Sequence, residues 1–98
     1  MSLRGQPVEQ AASLPDGATV RVRVAVPDDP YVPKRELSTV DVELIGADDR
    51  VLAAVNTVLG PDQVSEAREL AREIAAGLES GELKPTAAAI EPLADRLR

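Results

Sequence analysis

From Ala18 onward the chain alternates with a period of two. Val20, Val22, Val24 and Val26 face one way, and Thr19, Arg21, Arg23 and Ala25 face the other. This pattern predicts a half-buried strand. It stops at Pro27, where PDDPYVPKRE brings in Pro27, Pro30 and Pro33, none of which can donate to a ladder. A second alternation follows, with Val40, Val42 and Leu44 inward and Thr39, Asp41 and Glu43 outward. Antiparallel pairing of these strands sets Arg21 and Arg23 across from Asp41 and Glu43, each pair contributing about 0.2–1 kcal/mol.

After the turn Gly46–Arg50 comes VLAAVNTVLG, whose pattern admits two readings. Residues 51–59 fit a helix opened by Asp48 or Asp49 and closed by Gly60-Pro61. They also fit a strand, with four β-branched residues next to a turn. The strand is the better choice, because two strands alone are marginal whereas three with a helical cover are not. Such a strand is apolar on both faces. One face would meet a helix and the other needs a second cover, such as another copy of the chain.

The helix is PDQVSEARELAREIAAGLE, residues 61–79. Val64, Ala67, Leu70, Ala71, Ile74, Ala75 and Leu78 fall on one side, opposite Glu66, Arg68, Glu69, Arg72, Glu73 and Glu79. Gly60-Pro61 starts it, Asp62 adds negative charge near its positive end, and Gly81 stops it. Thr86 can cap a short final helix, residues 87–97, which Pro92 must either kink or enter in the first turn. Residues 1–17 are weakly patterned and read as a tail, with a short helical turn at Val8 to Leu14 and a strong turn at Pro15-Asp16-Gly17. The predicted fold is α+β: a three-stranded antiparallel β-meander packed against one long amphipathic helix, with a short C-terminal helix, in one domain spanning residues 18–98.

Composition narrows the function. The 98 residues include 15 Ala, 12 Val, 11 Leu and 3 Ile but one aromatic, Tyr31, so the core must be built from small aliphatics. A chain this small, with no large side chains, gains from burying surface against a second copy, and a homodimer is expected. The net charge of −6 and the dispersed basic residues oppose nucleic acid as a partner. No run of 18 apolar residues is present, and MSLRGQPVEQ lacks the apolar core of a signal peptide, so the cytoplasm is the expected location. The chain has neither Cys nor His. That excludes thiolate metal sites, cysteine nucleophiles and histidine-based triads, and no phosphate loop or dinucleotide fingerprint is present. No catalytic residue, cofactor site or metal site is assigned.

Four features remain as candidate chemistry. The pairs Asp28-Asp29 and Asp48-Asp49 resemble hard-cation ligands, but a meander puts them at opposite ends of a strand, roughly 26 Å apart for eight residues. They read as turn residues. The loop 27–36 and the start of the long helix should meet at one end of the sheet, making Asp28, Asp29, Tyr31, Lys34, Arg35 and Asp62 a candidate interaction rim. Within it, Pro30 to Arg35 fits a short polyproline ligand pattern, which prolines that merely stop strand pairing also explain. Finally, Ile74 to Pro85, IAAGLESGELKP, resembles the opening of the winged-helix domain of GntR-type regulators, which implies DNA binding. The chain departs from that family at Thr86, where glycine is usual, and its acidity opposes DNA, so the stretch reads as helix-ending turn chemistry.

Two functions fit these constraints. The first is a small non-enzymatic protein-interaction and self-association domain. The second is a small-molecule binder or enzyme with an aliphatic pocket between sheet and helices, completed across a dimer interface. A buried polar side chain lining a pocket, such as Asn56 or Thr57, would favour the second, and dry packing around them the first.

Overall fold

A computed structural model describes residues 3, 6–27, 31, 33 and 38–95. The fold is α+β. Four strands, β1 (Val8–Ser13), β2 (Thr19–Ala25), β3 (Asp41–Gly46) and β4 (Val51–Asn56), form an antiparallel meander in sequence order, followed by helices α1 (Val64–Ser80) and α2 (Ala87–Asp95). The sheet therefore has one strand more than the sequence pattern predicts. Val8–Ser13 is an edge strand paired with β2 from Val8↔Val24 to Ser13↔Thr19, and it is neither tail nor helical turn.

The hairpin turn explains this correction. Leu14 N–H donates to the Ala18 carbonyl (2.8 Å) and Gly17 N–H to the Leu14 carbonyl (2.9 Å), while Asp16 Oδ1 accepts from Ala18 N–H (2.9 Å). Gly17 lies at φ 92, which closes a three-residue hairpin loop. β1 buries little besides Ala12, so its own alternation is weak even though the turn beside it is strong. Leu3 is also no tail residue. It is buried in the core and its N–H donates to the Pro61 carbonyl (2.8 Å).

Val20, Val22 and Val24 of β2, Val42 and Leu44 of β3 and Ala53 of β4 form one continuous cluster with Ala67, Leu70, Ala71, Ile74, Ala75 and Leu78 of α1 and Ile90 of α2. The apolar stripe predicted for α1 is its buried face, and the six charged positions opposite are exposed. α1 lies across β1 and β2, and it is the short α2 that lies on β4. The expected meeting of β4 with the long helix is corrected accordingly, because the extra strand shifts the middle of the sheet and draws α1 toward β1. The helix starts at Val64, after a turn at Pro61-Asp62, since Gln63 folds its side chain back so that Oε1 accepts from Gly60 N–H (2.7 Å).

α2 begins where Thr86 predicts. Its Oγ1 accepts from Ala89 N–H (3.3 Å), and Pro92 sits inside the helix rather than in its first turn. Between the helices, Gly81 in the left-handed region donates to the Leu78 carbonyl (3.3 Å) and Leu83 N–H to the Gly77 carbonyl (3.0 Å). The stretch that resembles a regulator motif is, in this fold, a helix-ending turn.

Candidate interaction surface

Both helices pack on the face of Val20, Val22 and Val24. Among the described residues no helix lies on the other face, which carries Glu9 and Ala11 of β1, Arg21, Arg23 and Ala25 of β2, Asp41, Glu43 and Ile45 of β3, and Asn56, Ala54 and, past an irregularity that skips Leu52, Val51 of β4. Ala25 and Ile45 are buried on this face, outside the main core cluster. Exposed apolar surface gathers on β4, where Val51 and Leu52 are 55% and 46% accessible.

The charges of this face form a network. Arg21 Nη2 meets Asp49 Oδ1 at 2.6 Å and Arg21 Nη1 meets Glu9 Oε2 at 3.5 Å, while Arg23 Nε lies 3.9 Å from Glu9 Oε1. The predicted pairing of all four charges has the right face and direction but not the register, since it needs Arg21 opposite Glu43 and Arg23 opposite Asp41. Arg23 is in register with Glu43, but Arg21 stands opposite Ile45, and Asp41 opposite Ala25. Alternation could not decide this, because a two-residue slip leaves every side chain on its own face. Glu43, though in register, makes no ion pair among the described residues. Arg23 Nε is buried without a hydrogen-bond acceptor. Glu9, which takes both arginines, escaped the sequence reading because β1 did. The Pro15-Asp16-Gly17 turn directly before a strand was the signal that could have found it.

Of the candidate rim, Tyr31 is 92% accessible and Asp62 is exposed in the turn before α1. The topology does bring the start of β3 and the approach to α1 together, since Thr57 N–H donates to the Val40 carbonyl and Val40 N–H to the Leu59 carbonyl, both at 3.0 Å. Asp28, Asp29, Lys34 and Arg35, and with them most of the polyproline pattern, lie outside the described residues. Asp48 and Asp49 serve the β3–β4 turn: Asp48 Oδ1 accepts from Arg50 N–H (3.2 Å), and Asp49 takes φ 64. Among the described residues no three acidic side chains gather as a metal ion would require.

The two residues chosen to discriminate a pocket are both accounted for. Asn56 is exposed, and its Nδ2 donates to Asp41 Oδ1 (2.7 Å). Thr57 is buried, but its hydroxyl donates to the Val40 carbonyl (2.6 Å) and accepts from Leu59 N–H (3.2 Å). The Thr57 hydroxyl is thus spent on backbone groups, and Asn56 stands at the surface. A shallow depression lined by Ala88, Glu91, Pro92 and Asp95 opens on the surface of α2. No described helix is long and apolar enough to cross a membrane. No protein-family model, curated protein or solved structure matches the chain.

Proposed function

We propose that this chain is a small non-enzymatic protein-interaction domain that self-associates, with a homodimer as its basic unit. The observation that carries this reading is the single-sided cover of the sheet among the described residues, which leaves Ala54 and the exposed Val51, in register with Ile45, on a helix-free face. The aliphatic interior supports it as well, because the buried hydroxyl at Thr57 is spent on backbone groups and offers nothing to a small molecule.

Its test is solution mass, by light scattering or sedimentation across a hundredfold concentration range. A dimer, or a concentration-dependent approach to one, is the expected result. A monomer throughout would overturn the reading.

A further inference from the structure

We infer that the helix-free face of the sheet docks on the same face of a second copy, about a two-fold axis running along the strands between β2 and β3; this rests on the self-association reading above. The argument is charge complementarity. On this face β2 carries Arg21 and Arg23 and β3 carries Asp41 and Glu43, and the register sets one opposite pair, Arg23 and Glu43, at the same level. A two-fold axis between those strands lays β2 of one copy over β3 of the other. The Arg23–Glu43 level is thereby self-complementary, as an isologous interface requires.

The register makes the pairing specific. Val8↔Val24 and Val24↔Val42 place Glu9, Arg23, Glu43 and Ala54 at one level across the four strands. Rotation about an axis parallel to the strands preserves that level. Arg23 of each copy then faces Glu43 of the other, close to the axis, where the relative rotation of roughly 30° between packed sheets displaces them least. At the next level, that of Ala11, Arg21, Ile45 and Val51, Ala11 comes over the partner's Val51.

Both members of the Arg23–Glu43 pair have unused capacity within one chain. Arg23 Nε is buried with no acceptor, and among the described residues Arg23 has one ion pair, the 3.9 Å contact with Glu9, while Glu43 has none. Arg21 is already engaged by Asp49 and Glu9. Two faces of four strands, about 4.8 Å apart and each about 20 Å long, remove on the order of 1,000 Å² of accessible surface when stacked, near the lower bound of a specific interface.

The test uses charge reversal and mixing on the full chain, with circular dichroism to establish that each variant is folded. R23E sets Glu against the partner's Glu43, and E43R sets Arg against the partner's Arg23. Each alone is expected to weaken self-association at least tenfold. Their equimolar mixture restores association, because every facing pair is then opposite in sign, and R23E/E43R in one chain regains the homodimer. If R23E fails to fold, E43R and the double variant still decide. A wild-type dimer whose affinity is unchanged by E43R, or single variants that stay monomeric on mixing, would overturn the face-to-face arrangement while leaving self-association standing, by the β4 edge for example. A wild-type monomer would overturn both.

Discussion

Leu83 occupies the space that Gly77 leaves by having no side chain. A Cβ built at Gly77 would lie 2.5 Å from Leu83 Cδ1 and 2.7 Å from Cγ, and Leu83 N–H donates to the Gly77 carbonyl at 3.0 Å. A helical glycine normally costs roughly 1 kcal/mol relative to alanine. Here the close approach of the next turn requires it. Gly77→Ala is therefore expected to destabilise the fold by about 1–3 kcal/mol through overpacking. In a Leu83→Ala background the same change should become neutral or favourable, and denaturant midpoints of the four proteins in this cycle measure the coupling.

Thr57→Val keeps the shape and removes the hydroxyl. The Val40 carbonyl retains the Thr57 N–H, but Leu59 N–H loses its acceptor in a buried setting. A loss of about 1–3 kcal/mol is expected, read as a shift of the urea midpoint without a change in slope. An unchanged midpoint would mean that the hydroxyl bonds add nothing to the junction.

Pro92 stands in the interior of α2 and can give no N–H to the carbonyl of Ala88. Its side chain is exposed. Pro92→Ala should therefore raise the melting temperature, by an amount reflecting about 1 kcal/mol or more of recovered helix stability. A lower melting temperature would show that the ring, and not the missing donor, matters here.

Arg21 ties the middle of the sheet to the β3–β4 turn through Asp49 and to β1 through Glu9. All three side chains are substantially exposed, so the energy is small. Arg21→Ala is expected to cost no more than about 1 kcal/mol, and the difference should shrink in 1 M salt. A salt-independent loss would instead mark packing of the arginine stem over Ile45, which it faces in register.

The sequence by itself determined whatever follows from periodicity and turn chemistry. The stripe Ala67, Leu70, Ala71, Ile74, Ala75 and Leu78, the alternations of β2 and β3, the Gly81 stop and the Thr86 cap are local patterns, and the fold uses them as predicted. Tertiary structure alone decided the rest. β1 is a strand because β2 offers it an edge, with Ala12 its sole buried residue. Val51–Asn56 is the strand expected for this stretch, but its local pattern also admits a helix, and it is the pairing with β3 that holds it extended. The β2–β3 register, which places Arg23 opposite Glu43 and leaves Arg21 to Asp49 and Glu9, could not be read from alternation, since a slip of two residues preserves it. Facing, in short, is set by the side chains of one segment, whereas partner and register are set by a second segment, and no single stretch of sequence carries both.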